Sequence, residues 1–501
     1  MEVEFKFHIP VGRLAALQAA AQHGDATTVR LQARYFDTQG GALASRGIAL
    51  RLRKEGDRWV QTVKARGDGP LDREEHNVKV EASNPSVQPE LHAGTQAGKQ
   101  LREALDGTEG PLEEIYRTDI DRAIRNLSFD GGVVEMALDT GKIVAHGGSE
   151  REKQAPVCEL ELELKEGPVS GLVELARQWA AQHGLLVNTV SKAERGERLL
   201  AAEWGRPATK ARAMVAPGGI RQFLRGPALQ RAAVANCLAQ ILGNASEIVE
   251  GSGNETHVHQ LRTGIRRLRT VLRELDALAP GAFDPAWEPP LVEAFRGLGE
   301  LRDREQAVQT IGTELKEAGA PPTDAPAPAG IASPLDIVRT PAFQATLIAL
   351  MGFTVRLADG RAPDTTGASL AARDTRKYLH RRLRALYKKV HKDAGRFKAL
   401  SIDEQHRVRK RLKRLRFLAE FAAPAIQGEA GKFLGSLQPA LFALGRLNDE
   451  RVASTLYREM ADTDPRAWFG VGWLAARRKA SVKATTKALA RMQRPPPMRR
   501  V

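Results

Sequence analysis

Glu2, Glu4 and Lys6 alternate at the start of the chain. Residues two apart on a strand point to one side, so these three line one face while Val3, Phe5 and Phe7 line the other. The arrangement recurs with Arg51 and Arg53 opposite Leu50 and Leu52, and with Lys64 opposite Val63. Glu135 and Asp139 share a face, and Glu159, Glu161 and Glu163 stand opposite Leu160, Leu162 and Leu164. A face that merely meets water has no reason to sort its charges by sign, yet acids dominate some of these strands and Arg or Lys dominates others. Carboxylates suit a hard divalent cation such as Mg2+ or Mn2+, and the planar fork of arginine suits phosphate. A ligand that needs both is a metal-bound oligophosphate.

The elements that must position these residues follow from periodicity. Period-two alternation predicts strands over Glu2 to Phe7, Ile48 to Arg53, Trp59 to Lys64, Glu75 to Glu81, Val133 to Asp139 and Cys158 to Lys165. Helical patterns fall at Val11 to His23, Gln96 to Leu105 and Val169 to His183. Residues 1–204 therefore read as an α+β domain built on an antiparallel sheet. A Gly, Pro and basic stretch at 205–219 reads as a linker, and 220–490 is helical almost throughout, with a Pro/Ala-rich loop at Pro321 to Pro334. Residues 491–501 read as a flexible basic tail, untied to the rest.

The helical part contains a repeat. The run from His259 through Arg262, Arg266, Arg267 and Arg269 matches the run from His406 through Arg409, Lys413, Arg414 and Arg416. A second block, Leu298-Gly299 to Asp303, matches Leu444-Gly445 to Asp449 in the same order. Two matching blocks at nearly one offset mark a duplicated helical unit. At 100° per residue His259, Arg262, Arg266, Arg269 and Arg273 form one stripe roughly 80° wide. The copy repeats it with His406, Arg409, Lys413 and Arg416, and a third basic helix, Asp374 to Lys392, carries Arg384 and Lys388.

The net charge of +16 is unevenly spread: residues 1–204 hold 26 Lys and Arg against 32 Asp and Glu, and 205–501 hold 50 against 28. The second half therefore reads as meeting a polyanion. With aromatics at 5% and few interleaved with the basic stripes, nucleic acid is the weaker choice. Cys158 and Cys237 are too few for a disulfide framework, and the acidic start lacks the basic and apolar regions of a signal peptide, so a reducing cytoplasm is expected. The apolar run from Ala342 to Val355 is too short to span a bilayer and reads as a buried helix, which excludes a membrane-spanning role.

The N-terminal blocks carry a resemblance. Glu2-x-Glu4-x-Lys6, Tyr35-Phe36-Asp37-Thr38, Ala49-Leu-Arg51-Leu-Arg53, Thr62-Val-Lys64 and Glu159 to Lys165 resemble the CYTH, or triphosphate tunnel metalloenzyme, superfamily over about residues 1–204. The resemblance implies a closed eight-stranded antiparallel tunnel that binds triphosphate and Mg2+ or Mn2+. It makes Glu2, Glu4, Glu159 and Glu161 metal ligands, with Glu135, Asp139 and Glu163 as further acidic lining. Lys6, Arg51, Arg53, Lys64 and Lys192 become phosphate contacts, joined by Arg122, with Arg117 and Arg125 as alternatives to it. It further implies attack of a metal-activated water on a terminal phosphorus, giving inorganic triphosphatase activity. Thiamine triphosphate hydrolysis and a class IV adenylate cyclase share that tunnel, and a non-catalytic polyphosphate-binding or granule-organising protein is a further alternative.

From about Pro217 to Ala490 the chain resembles the CHAD domain, a pair of related helical bundles named for its histidines. His259 and His406 with their trailing basic residues carry this match, and His257 is a candidate to join them. The resemblance implies a surface that binds inorganic polyphosphate and, with it, association with polyphosphate granules.

Overall fold

A computed structural model of the chain describes residues 2–66, 72–81, 85–108, 110–203, 205–216, 218–323, 332–355 and 369–500; for Glu2, Arg66, Asp72, Arg73 and residues 300–309 it describes the backbone alone. The loop expected at Pro321 to Pro334 lies largely outside the described residues. The chain divides into two compact units. One comprises Met1–Thr209, Leu238–Leu261 and Val338–Arg361; the other comprises Lys210–Cys237, Arg262–Ile337 and Ala362–Val501.

The first unit is organised by strands β1 (Glu2–His8), β2 (Thr27–Asp37), β3 (Ala49–Glu55), β4 (Arg58–Arg66), β5 (Asp72–Val80), β6 (Glu113–Phe129), β7 (Gly132–Ala145), β8 (Lys153–Glu166) and β9 (Leu186–Val187). They lie in the order β5-β4-β3-β2-β6-β7-β8-β1-β9. The sheet has nine strands rather than the expected eight, because the two-residue β9 pairs with β1 at Phe7 and His8. Nor is it a fully laddered closed tunnel. β1 meets β5 at only two pairs, Glu2 with Arg73 and Val3 with Asp72. The outer edge of β1 is thus shared between β5 at one end and β9 at the other.

Register decides which side chains meet. Phe5 and Phe7 of β1 align with Leu162 and Leu160 of β8, which align with Met136 and Leu138 of β7. This apolar face is buried, and helices α1 (Leu14–Ala21) and α3 (Val169–His183) pack on it. Leu50 and Val63 make a second such cluster with α2 (Gln96–Leu105) through Ala97 and Leu101. Burying the outer face under helices leaves the charged face as the inner lining. The exception is the stretch of wall formed by Leu31, Ala33 and Tyr35 of β2 with Tyr116, Ile120, Ile143, Ala145 and Val157, which is apolar on its inner face. Helix α4 (Lys192–Ala201) fills it with Ala193, Leu199 and Leu200. Ser191 starts α4 with a capping box: its hydroxyl accepts from Glu194 N and the Glu194 carboxylate accepts from Ser191 N.

The helices that follow are α5 (Ile220–Phe223), α6 (Gly226–Val249), α7 (Glu255–Glu274), α8 (Glu288–Glu317), α9 (Pro334–Val338), α10 (Pro341–Thr354), α11 (Ala372–Gly395), α12 (Ile402–Ala422), α13 (Ala430–Ala461) and α14 (Trp468–Ala490). In the first unit α10 packs on α3, and Gln344 Oε1 accepts from Val187 N at 2.8 Å. In the second, Ile311 and Leu315 of α8 share a core with Leu456, Met460 and Leu474 of α13 and α14. The C-terminal residues are not an untied tail: Met498 bridges Ile426, and Arg499 N donates to Ala425 O at 2.8 Å. Burial of Met498 fixes that segment. Among the described residues no helix is long and apolar enough to cross a membrane.

Candidate active site

Three rows of inward residues cross β1, β8 and β7. The first is Glu4, Glu163 and Glu135; the second Lys6, Glu161 and Ala137; the third His8, Glu159 and Asp139, which continues to Arg122 on β6. Like charges directly opposite one another are destabilising, so the first and third rows, where acid faces acid, need a cation. Lys165 serves the first, at 3.3 Å from Glu135 and 2.9 Å from Glu163. In the other two, Asp139, Glu159 and Glu161 bring one carboxylate oxygen each to within 4.8 Å of one another.

Lys192, the first residue of α4, enters this trio. Its ammonium lies 2.6 Å from Asp139 Oδ2 and 3.3 Å from Glu161 Oε1, and it also pairs with Glu159. A lysine in the first turn opposes the helix dipole, and the three carboxylates offset that cost. Arg122 grips Asp139 with two hydrogen bonds of 2.6 and 2.7 Å and reaches Glu161 at 2.7 Å. Arg195 Nη2 stands 3.4 Å from Glu159 Oε2. Burial alone would raise the Glu161 carboxyl, but Lys192, Arg122, Lys64 and Lys6 hold it well below the usual range. Burial likewise opposes protonation of Lys192 and Arg122, and the acids overcome it, so both are raised.

The basic wall lies on β3 and β4. Arg51 is 3.4 Å from the Tyr35 hydroxyl, Arg53 Nε is 2.6 Å from Glu55, and Lys64 pairs with Glu75. Arg53 is lowered by burial and then by Arg51, the mark of two guanidiniums sharing one site. Lys6 donates to Val190 O. Of the arginines compared on β6, Arg117 pairs outside with Glu114 and Arg125 donates to Ala20 O, so Arg122 is the inward one. The Glu2 side chain lies outside the described residues.

The basic stripes occupy two settings. On α7 the guanidiniums of Arg262, Arg266 and Arg269 surround the Phe295 ring at 5.0, 4.9 and 5.9 Å. Arg262 is buried, with Nη2 so near Gly299 that a Cβ there would come within 2.7 Å of it. Arg269 and Arg273 meet Glu288, and His259 is exposed. On α12, His406 and Arg409 line a cleft with Gln405, Leu444, Leu447, Asn448 and Arg451. Both settings therefore join a repeat's His-x-x-Arg helix to its Leu-Gly helix. Lys413 and Arg416 are half-buried, Arg416 pairing with Glu420 at 2.7 Å, while Arg384 and Lys388 are exposed on α11. His257 is buried, hydrogen bonded to Asn254 and to Arg206 O, and is not on an exposed basic face.

The CYTH domain model matches residues 1–196 and the CHAD domain model matches residues 232–458. The chain joins a CYTH domain to a CHAD domain. A curated inorganic triphosphatase of Haemophilus influenzae is 30% identical over 168 residues, which is 32% of this chain and 44% of that relative. The chain thus spans less than half the length of this relative. Among solved structures, the CHAD domain of the plant Ricinus communis is 23% identical with a TM-score of 0.45, covering 59% of this chain and all of that one. A Hippeastrum structure described as revealing a dominant triphosphatase activity is 19% identical with a TM-score of 0.30, covering 40% of this chain and 97% of that one.

Sequence reasoning passed over several lining residues of the CYTH sheet. Glu75 and Tyr35 fell in quoted strands and motifs, Lys165 ends the Glu159 run, and Arg195 lies one helical turn after Lys192. The signal for Arg195 was its i+3 spacing from Lys192, which places both on one side of α4. In the CHAD domain Phe295, Asn448 and Arg451 were passed over; Asn448 lies within the repeated Leu-Gly block.

Proposed function

We propose that the CYTH sheet hydrolyses inorganic triphosphate to pyrophosphate and phosphate with Mg2+ or Mn2+, and that the CHAD domain holds inorganic polyphosphate. The observation that carries the reading is one inner face with a carboxylate trio on β7 and β8 and a guanidinium and ammonium wall on β3 and β4. The donor set suits a hard divalent cation, being all carboxylate. Moreover, Glu159 Oε2 is buried and receives no hydrogen bond from any described residue. Asp139, Glu159 and Glu161 would hold the ion, with Glu4, Glu135 and Glu163 as the adjoining acids. Once bound, such an ion supplies Lewis-acid stabilisation and acidifies a coordinated water.

The chain's own residues do the rest. Arg51 and Arg53 present planar forks to phosphate oxygens, and Lys6 and Lys64 add point charges. Held on β-strands, these cations are already oriented when charge develops on the leaving pyrophosphate. Arg122 and Lys192, anchored by the acids, fix the carboxylates for binding and stand beside the reacting phosphoryl group. Helix α4 keeps the apolar stretch of wall filled and water out of it.

On the CHAD side, the Arg262, Arg266 and Arg269 cluster, with His259 and Arg273, and the His406 and Arg409 cleft, with Lys413 and Arg416, are the proposed polyphosphate contacts. Arg384 and Lys388 extend them on α11. So many cations held together are stabilised by a bound polyanion.

A second reading, polyphosphate binding without turnover, is favoured by one observation: the Lys192 ammonium already touches all three acids. Phosphate release from triphosphate, ATP, thiamine triphosphate and long polyphosphate, each with Mg2+, Mn2+ or chelator and with cyclic AMP assayed, separates the two. Metal-dependent release from triphosphate is expected. Tight polyphosphate binding with no turnover of any of the four would instead establish the second reading.

A further inference from the structure

Glu250 follows the last turn of α6, far along the chain from the CYTH motif residues. It nevertheless lies in the same compact unit as the sheet. The end of α6 is fastened to the segment that leads into α4. Thr189 N donates to Ser246 Oγ at 2.9 Å, Arg198 and Glu247 form a buried ion pair, and Asn188 Nδ2 donates to Glu250 Oε1. The carboxylate of Glu250 is 18% exposed and cannot swing freely into solvent.

Arg195 is shared between two acids. Its Nη2 donates to Glu250 Oε1 at 3.1 Å, while the same nitrogen stops 3.4 Å from Glu159 Oε2 without a hydrogen bond. Glu159 is 1% exposed, so an oxygen left without a donor there is costly unless a ligand takes it. Without Glu250, the guanidinium would be free to close the 3.4 Å ion pair with that oxygen into a hydrogen bond.

We infer that Glu250 is a positioning residue for the cation site: it draws Arg195 off Glu159 Oε2 and so keeps that oxygen available to a divalent metal. His8, whose Nδ1 stands 4.0 Å from Glu250, and Asn188 complete the setting that holds the carboxylate in place. The consequence is that the metal site of the CYTH sheet is completed from the chain that follows the linker. The inference rests on the metal-binding reading given above.

Mn2+ binding to the metal-stripped full chain, followed by electron paramagnetic resonance of the free ion, tests it without reference to turnover. Glu250→Gln keeps shape and loses charge. It should weaken Mn2+ binding about 10- to 100-fold, the range found when a group supporting a ligand is removed. Arg195→Gln combined with Glu250→Gln removes the competitor as well and should bring affinity back to within about threefold of wild type, beyond the scatter of additive effects. A purely structural role for Glu250 would instead leave the double variant as weak as the single one or weaker, and that result overturns the inference. So does a Glu250→Gln protein that binds Mn2+ as wild type does. Wild-type chain that binds no Mn2+ would overturn the metal reading itself and the inference with it.

Discussion

The Lys192 ammonium lies 2.6 Å from Asp139 Oδ2 at the centre of the carboxylate trio, where it occupies the position of a counter-ion. Asp139 is buried and Lys192 is largely covered, at 1% and 12% side-chain exposure. Removing one partner of such a set leaves charge uncompensated. Lys192→Met should cost about 3–5 kcal/mol of stability in the absence of metal. Added Mn2+ should then raise the melting temperature of the variant more than that of wild type, since the ion binds folded chain alone. Equal shifts in both proteins would mean that the trio does not take the metal.

The two-pronged grip of Arg122 on Asp139 makes a sharper test of chemistry. Lysine preserves charge but not the fork. Arg122→Lys should lower kcat/KM for triphosphate about 100-fold, equivalent to ~3 kcal/mol of transition-state stabilisation. Arg117→Ala and Arg125→Ala, whose side chains point to the outer side, should leave kcat/KM near wild type. Loss of activity in those two instead would reverse the assignment.

Strands whose inner face is charged were legible in the sequence: β1, β3, β4, β5, β7 and β8 lie where charged and apolar residues alternate. β2 and β6 were not read as strands, although Val29, Leu31, Ala33 and Tyr35 alternate clearly. Their polarity is inverted, with apolar residues inside and Arg30, Arg34, Arg117 and Asp119 outside, because α4 fills that stretch of wall. The acid trio was legible as residue types on strand faces, whereas its neutralisation by Lys192, Arg122 and Arg195 depends on how α4 enters the sheet. The link from Glu250 to Arg195 had no sequence signal at all, because it joins segments that only folding brings together.

Acid should weaken the basic wall. The Glu75 carboxyl, which burial alone would raise, is held at about 2 by Lys64 and Arg51, against an ordinary value of 4.5. A carboxyl depressed on folding contributes stability that is complete above its unfolded value and is lost as pH falls toward its folded value. The melting temperature of wild type should therefore exceed that of Glu75→Gln above about pH 5, and the difference should shrink as pH falls toward 2. A difference that grows on acidification would contradict the pairing.

The two domains should fail separately. Glu4→Gln and Arg53→Ala should abolish triphosphate hydrolysis and leave polyphosphate binding intact. His259→Ala with Arg262→Ala and His406→Ala should do the reverse. Because Arg262 is buried against Gly299 and Phe295, the cleft variant His406→Ala with Arg409→Ala is the cleaner arm. Polyphosphate retention on a salt gradient reads the loss as earlier elution. Damage to both properties by either set would refute the division of labour.

The most direct measurement is the initial rate of phosphate release from triphosphate as Mn2+ or Mg2+ is added to metal-stripped protein, run beside Glu161→Gln. Wild type should show a saturable rise from a negligible baseline and the variant no rise. Equal rates with chelator and with metal, or a Glu161→Gln protein as active as wild type, would refute metal-dependent hydrolysis at the carboxylate trio.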